Sequence, residues 1–256
     1  MLNRIFAIAR NTFRETLRDR ILWSVLLVVI ALTLFSLFVG SVSLEQDQRM
    51  IVDFGLTATY ILQIFVAIFL GSMLIYKEIE RRTFFLIIPK PIARGEIIVG
   101  KCLGLTATTV TVSLLSILAL FSILFLKGVH GMYVPILVSV FLSTLESVIL
   151  ILLSILLSGL TSPILSAVYT IAFFMIGHSS EILRTLIDSQ TSLASSLLLK
   201  FAYYIMPNLE KFNIRNDVVY GTIPDARGIF LSVLYAACYA VFLFLVSRAM
   251  FAKKEF

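Results

Sequence analysis

Charged residues are scarce in this chain. Asp, Glu, Lys and Arg make up 14% of its 256 residues and apolar residues 59%, whereas a soluble domain carries about 25% charged residues. The mean hydropathy is +1.01. Several apolar runs exceed the roughly 18 residues that mark a membrane-spanning helix. These features exclude an ordinary soluble domain and predict an all-α polytopic membrane protein, because the runs lack the strict alternation of a barrel.

Residues and motifs typical of active sites and metal sites are also few. The two cysteines, Cys102 and Cys238, have a spacing that suggests neither a metal site nor a disulfide framework. The two histidines, His130 and His178, are expected on the outer side as ordinary interfacial residues. The chain has no H-E-x-x-H motif, no G-x-S-x-G motif and no phosphate-binding G-x-x-x-x-G-K-[ST] loop. We therefore predict no catalytic residue, no metal and no ATP hydrolysis by this chain.

The first 20 residues predict a basic amphipathic helix. Arg10, Arg14 and Arg18 line one face at four-residue spacing. The opposite face holds Ile5, Phe6, Ile8, Ala9, Thr12, Phe13, Thr16 and Leu17. Such a helix is typical of the membrane interface. The alternative is a positive flank that only orients the first span.

Six apolar segments follow and are predicted to span the membrane within a single domain of residues 1–256. Their approximate bounds are 21–39, 54–76, 102–126, 134–158, 163–177 and 228–247. The fifth segment is short. Residues 178–227 between the last two spans predict an outer helical element that lies on the leaflet or dips into it. The alternative is a seventh span, which the charged residues of this connection make costly.

The basic residues are distributed by side rather than clustered for nucleic acid. With a cytoplasmic N-terminus, the inner segments hold 14 of the 21 Lys and Arg residues and the outer segments hold 7. The positive-inside rule therefore predicts that both termini are cytoplasmic. We expect membrane lipid around the chain and no nucleic-acid partner.

Glu146 is the acidic residue that the pattern places well inside a span. A carboxylate in lipid costs several kcal/mol, so it should face the bundle interior, a partner chain or water. It could be a transport or coupling residue, or it could only form an interhelical hydrogen bond. The hydroxyls of spans three and four are expected to pack or bond between helices. The alternative for these hydroxyls is a polar transport path.

A charged insert interrupts the apolar chain at residues 76–101, with six Lys or Arg and three Glu. Glu78 and Arg82 stand four residues apart, in the order that favours a short helix. Pro89 and Pro91 end that helix and return the chain toward the membrane. This order of charged residues followed by prolines predicts a cytoplasmic helix and then a turn.

The rest of the insert predicts contact with a membrane or a partner. Arg94 and Lys101 are expected in the turn where the third span enters. The apolar run 84–88 should lie on the membrane or fill a groove of a partner protein. The alternative is an ordinary positively charged loop.

The insert resembles the cytoplasmic loop of type-2 ATP-binding-cassette (ABC) exporter permeases. In that family a glutamate-rich segment, a Thr, a Pro and an Arg precede a Gly-Lys pair at the third helix. The matching residues are Glu78, Glu80, Thr83, Pro89, Pro91, Arg94, Gly100 and Lys101. The resemblance covers the whole chain, since the basic N-terminal helix is similar to the family's elbow helix and six spans follow.

The resemblance implies a way of powering the protein. Two six-span permease subunits, in a homodimer or a heterodimer, would surround a substrate path. Each would dock its coupling helix into a separate P-loop ATPase subunit, which binds ATP and Mg, so this chain would hold no cofactor. The location implied is the plasma membrane, the inner membrane in bacteria. The substrate does not follow from the fold, and the apolar spans make a lipid-like or amphiphilic compound the default.

Two other classes of function stay open. One is a membrane scaffold that recruits a soluble protein through the insert and transports nothing. The other is a secondary transporter driven by an ion gradient, with Glu146 as its proton site. Gradient-driven flux without an ATPase partner would exclude the exporter.

Overall fold

Most of the described residues form helices. The computed structural model describes residues 2–42, 47–74, 94–129, 131–189, 200, 203, 206–222 and 225–253. The helices are α1 Leu2–Leu17, α2 Arg20–Val42, α3 Asp47–Phe65 with a π-helical turn Val66–Leu70 at its end, α4 Arg94–Leu126, α5 Tyr133–Ser158, α6 Pro163–His178, α7 Ser180–Ser189, α8 Arg215–Val219 and α9 Ala226–Lys253. A 3-10 turn, Glu210–Phe212, precedes α8. No strand occurs within these ranges.

Five of these helices are long and apolar enough to cross a membrane. They are Arg20–Phe38, Gln48–Leu74, Gly95–Leu126, Tyr133–Ser158 and Ala226–Phe251. The prediction of an all-α, multi-pass, membrane-embedded protein is therefore confirmed at this level. Several helices extend beyond the predicted spans, because backbone hydrogen bonding continues past the last apolar residue into charged and polar ones.

The expected turn at residues 94–101 is wrong. These residues form the first two turns of α4, which runs without a break for 33 residues. Glu96 in the first turn is acidic, which suits the positive end of a helix dipole. A helix of this length measures about 50 Å, so it exceeds a hydrocarbon core of about 30 Å.

The fifth predicted span is a shorter helix than the others. α6 has 16 residues, or about 24 Å at 1.5 Å per residue. Its last residue, His178, contacts Glu146, which is the fourteenth residue of the 26-residue α5. The C-terminus of α6 therefore lies beside the middle of α5.

α5 is the central helix of the bundle. Two thirds of its membrane-length window is buried, against 28% for α2 and 11% for α9. α3, α4, α6 and α9 all pack on α5. Large apolar side chains of α2 and α9, such as Trp23 and Phe242, remain half exposed and suit contact with lipid.

α1 packs along the first half of α4 through two matching rows of short side chains. A Cβ added at Gly100 would lie 2.7 Å from the Cβ of Ile8, and one at Gly104 would lie 2.6 Å from the Cβ of Thr12. One turn further, the hydroxyl oxygens of Thr16 and Thr108 are 2.6 Å apart. Both rows repeat every four residues, so small residues let the two backbones approach along several turns. Arg10 and Arg14 are exposed on α1, and Arg18 is exposed directly after it.

The segment 206–222, called the cap segment, closes the opposite end of the bundle. Its apolar side chains Leu209, Phe212 and Val218 are fully buried. The N–H of Leu209 donates to the carbonyl of Gly177 at 3.1 Å, which fixes the cap segment to the end of α6. We call this end of the bundle the cap end and the other the α1 end. Within the described residues of this connection, α7 and α8 have 10 and 5 residues, fewer than a membrane span needs.

Candidate functional site

The carboxyl group of Glu146 lies in the interior of the bundle. Its residue is fully buried, on the central helix α5. Oε1 accepts a hydrogen bond from the hydroxyl of Tyr60 on α3 at 2.8 Å. The same oxygen is 2.8 Å from Nε2 of His178. Glu146 therefore faces the bundle interior, as its cost in lipid predicted, and joins three helices.

His178 connects this carboxyl group to the cap segment. Its Nε2 contacts Glu146, and its Nδ1 is 2.9 Å from Oε2 of Glu210. The imidazole also stands edge-on to Phe174, with 4.8 Å between ring centroids. As the last residue of α6, it lies where a helix dipole favours positive charge. The sequence suggested only an ordinary interfacial residue at His178, and the structure adds contacts to two carboxylates. His130 lies outside the described residues.

The contacts continue through the cap segment and return to α3. Nδ2 of Asn213 donates to Oε1 of Glu210 at 3.0 Å, and Nε of Arg215 donates to Oδ1 of Asn213 at 3.0 Å. The guanidinium of Arg215 lies 3.7 Å from the centroid of the Tyr60 ring, within reach of a cation–π interaction. A closed circuit results.

We call this circuit the polar ring. Its members are Tyr60, Glu146, His178, Glu210, Asn213 and Arg215. They come from three helices and the cap segment, and 155 positions of the chain separate the first member from the last. Two carboxylates, an imidazole and a guanidinium in one network that runs from the partly exposed cap segment to the buried Glu146 can bind and pass protons and can lock the cap segment in place.

A second polar group lies deeper in the bundle and is uncharged. Nε2 of Gln63 donates to the hydroxyls of Ser113 and Thr144 at 2.9 and 3.1 Å. Its Oε1 is buried without a hydrogen-bond partner. Nearer the α1 end, the hydroxyl of Ser154 donates to the carbonyl of Ala67 in the π-helical turn at 3.0 Å. These contacts join α3, α4 and α5 as intramembrane hydroxyls and amides commonly do.

Most hydroxyls of α4 bond within their own helix. Thr106, Thr109, Thr111, Ser113 and Ser116 each donate to the carbonyl four residues earlier. The expected bonds between helices therefore hold for a minority of them. A continuous polar path along α4 gains no support from these side chains.

The residues of the suggested coupling loop are divided by the structure. Glu78, Glu80, Arg82, Thr83, Pro89 and Pro91 lie outside the described residues. Arg94 begins α4, and Gly100 contacts Ile8 of α1. The side chain of Lys101 is buried, with Nζ 3.5 Å from the carbonyl of Leu74 at the end of the preceding helix. Lys101 thus joins the two helices that flank the insert.

Glu96 is a buried acid that the sequence did not single out. Its residue is 7% exposed on the first turn of α4, and its Oε2 has no hydrogen-bond partner.

Within the described part of the chain, no group of three or more His, Cys, Asp or Glu side chains is arranged to hold a metal ion. In the polar ring, the two imidazole nitrogens face different carboxylates, so no common metal position arises.

The sequence offers little that would identify the other members of the polar ring. Tyr60, Glu210, Asn213 and Arg215 carry no motif and no periodic relation to Glu146. A buried acid needs a partner, and a histidine at the end of a short apolar run was the available clue.

No protein-family model and no curated protein sequence matches this chain.

Proposed function

We propose that this chain is the membrane-spanning permease subunit of an ABC exporter, driven by a separate P-loop ATPase. The observation that carries the proposal is the insert pattern from Glu78 to Lys101, which resembles the family's coupling loop and lies directly before a long, well-anchored helix. The sequence has no P-loop of its own, so an energy source on another polypeptide fits.

The construction of the α1 end suits the transmission of force. α4 continues from Arg94 as a single helix, and α1 is packed against its first half through Gly100 and Gly104. Lys101 joins α4 to the end of the helix before the insert. A displacement of the insert would therefore move α1, α3 and α4 together, because close-packed helices shift as units.

Six crossings and a cytoplasmic α1 end belong to the same proposal. α6 and the cap segment would together complete the fifth crossing, since Leu209 is bonded to Gly177 near the end of α6. The excess of Lys and Arg near the α1 end supports a cytoplasmic location for both termini. The plasma membrane and a second permease subunit complete the proposed assembly.

The test is co-purification with the ATPase subunit from the native membrane. Glu78→Lys together with Glu80→Lys should remove at least about nine tenths of the bound ATPase, since an interface charge reversal costs more than a tenfold change in affinity. Asp225→Lys, an exposed reversal just before α9, is the matched control and should retain the ATPase. Unchanged ATPase binding in the double variant would contradict the coupling role.

A transporter driven by an ion gradient is a second candidate, and the buried contact between Glu146 and His178 favours it. Reconstitution in proteoliposomes separates the two. Flux that needs ATP and the ATPase supports the exporter, whereas flux driven by a pH gradient alone supports the second candidate. ATPase binding without any flux of amphiphilic compounds would favour a scaffold.

A further inference from the structure

The contacts of His178 require one proton more than a neutral imidazole carries. Both ring nitrogens lie within 2.9 Å of carboxylate oxygens, Glu146 on one side and Glu210 on the other. An ionised carboxylate only accepts hydrogen bonds, and a neutral imidazole donates from one nitrogen. Both contacts are hydrogen bonds when the imidazole is doubly protonated or when one carboxyl group holds the proton.

The charge balance of the polar ring points the same way. Glu146, Glu210 and Arg215 sum to a net charge of −1, so one added proton makes the ring neutral. The charged and titratable groups that face this proton are Tyr60 of α3, Glu146 of α5, and Glu210 and Arg215 of the cap segment. The neighbour from α6 is the apolar ring of Phe174. Burying a neutral, fully bonded cluster costs less than burying a net charge.

Exposure falls steadily from the cap segment toward the bundle centre. The side chain of Glu210 is 40% exposed, that of His178 18% and that of Glu146 0%. Glu210 and Asn213 also line a cavity of about 390 Å³, together with the charged residues Lys211 and Asp217 and with Ser232. This volume is far more than one water molecule needs. A proton can therefore reach Glu210 from water at the cap end and pass to His178.

An unsatisfied atom marks where the path ends. Oε2 of Glu146 is buried and has no hydrogen-bond partner, although Oε1 has two. A buried carboxylate oxygen without a donor is costly, and a proton on this oxygen lowers that cost. Glu146 can thus hold the proton when His178 passes it on.

We propose that Glu146, His178 and Glu210 form a proton-binding site, reached from the cap end, whose bound proton fastens the cap segment to α5 and α6. The proton comes from water, resides on the imidazole between the two carboxylates and returns to water when the site empties. With the site empty, a neutral imidazole can donate to one carboxylate only. The other then keeps only its second donor, Tyr60 for Glu146 or Asn213 for Glu210. Docking of the cap segment is therefore complete at low pH and weakens as the pH rises. This site does not depend on an ATPase partner.

Nuclear magnetic resonance of the histidine nitrogens tests proton binding directly. The chain has two histidines, so His130→Gln leaves His178 as the sole source of signal. In the full-length protein in lipid nanodiscs, we expect both nitrogens of His178 to carry protons at about pH 6 and one to lose its proton by about pH 9. A neutral imidazole throughout this range, with no proton on either carboxyl group by infrared spectroscopy, would overturn the proposal.

The accessibility of a buried thiol tests the link to the cap segment. Val218→Cys places the thiol at a fully buried position, and Asn216→Cys places it at an exposed position of the same segment. Cys102→Ser and Cys238→Ser remove the native thiols. The ratio of maleimide labelling at the two positions cancels the pH dependence of the reagent. We expect this ratio to rise at least about tenfold as His178 loses its proton, and a constant ratio would overturn the proposal.

Glu210→Gln is the matched variant for the mechanism. The amide can donate to Nδ1 of a neutral imidazole and can still accept from Asn213. The added proton is then not needed for docking, so the labelling ratio should become independent of pH. A pH dependence equal to that of the unsubstituted protein would assign the effect to another group and contradict the role of Glu210.

Discussion

The two ends of the bundle are held together by different chemistry. At the α1 end, α1 and α4 meet through Gly100, Gly104 and paired threonines, with no charged group in the rows that touch. At the cap end, the contact runs through the carboxylates, imidazole and guanidinium of the polar ring. Close packing of small residues depends on volume and not on pH, whereas the polar ring depends on a proton. One end can therefore stay closed while the other responds to its surroundings.

The largest expected effect comes from removing the buried carboxyl group. Glu146→Leu leaves the Tyr60 hydroxyl and the imidazole of His178 without this acceptor. We expect a loss of about 3–5 kcal/mol in the free energy of unfolding, the cost of breaking a buried charged pair. Glu146→Gln keeps an acceptor and should lose much less. Equal losses for the two variants, by denaturant unfolding in detergent micelles, would contradict the role assigned to the carboxyl group.

Adding a methyl group at Gly104 tests the close packing of α1 on α4. In Gly104→Ala, the added Cβ would lie 2.6 Å from Thr12 and 2.7 Å from the carbonyl of Ala9, so α1 must move away. The expected loss is about 1–3 kcal/mol. Gly95→Ala, on the same helix, meets nothing closer than 3.6 Å and should be neutral or stabilising by up to about 1 kcal/mol. A loss of unfolding free energy in Gly104→Ala that changes with pH would contradict the contrast between the two ends.

An effect of similar size is expected at Tyr60. Tyr60→Phe removes the hydroxyl that donates to Glu146 and keeps the aromatic ring under Arg215. The loss in unfolding free energy should be about 1–3 kcal/mol, because the buried carboxylate of Glu146 then lacks one hydrogen-bond donor. Unfolding of the Glu146→Gln/Tyr60→Phe double variant measures the coupling between the two groups. Its loss in unfolding free energy should be smaller than the sum of the two single losses. Simple additivity would indicate that the two groups do not interact.

The smallest effect is expected at Arg215. Arg215→Met removes the charge above the Tyr60 ring and the hydrogen bond to Asn213 while keeping an aliphatic stem. We expect a loss of about 0.5–1 kcal/mol, typical of an exposed or half-buried cation–π contact. Thermal unfolding of this variant beside Arg227→Met, an exposed arginine early in α9, gives the comparison. A loss as large as that of Glu146→Leu would make Arg215 the main anchor of the cap segment instead.

The contrast between the ends also explains what a sequence can reveal. α1 repeats its features every four residues, so its helical form and its exposed arginines follow from local pattern. Glu146 had to face the interior because lipid excludes a lone carboxylate. Its partners could not be inferred, because His178 and Glu210 are 32 and 64 positions further along the chain and share no period with it. Their meeting follows from the early end of α6 and the return of the cap segment, which are properties of packing.

The start of α4 shows that composition alone does not locate the end of a helix. The apolar run begins near Cys102, yet the helix begins at Arg94. Charge marks where lipid ends, but a helix can continue past that boundary when another helix covers it, as α1 does here.

Hydrogen–deuterium exchange at several pH values, corrected for the intrinsic chemical rates, tests the central contrast most directly. Peptides from the cap segment 206–222 and from α1 are compared in the same nanodisc sample. The account predicts that exchange in the cap segment rises at least about tenfold from pH 6 to pH 9, while exchange in α1 stays constant. Equal responses of the two segments, or no response of the cap segment, would contradict it.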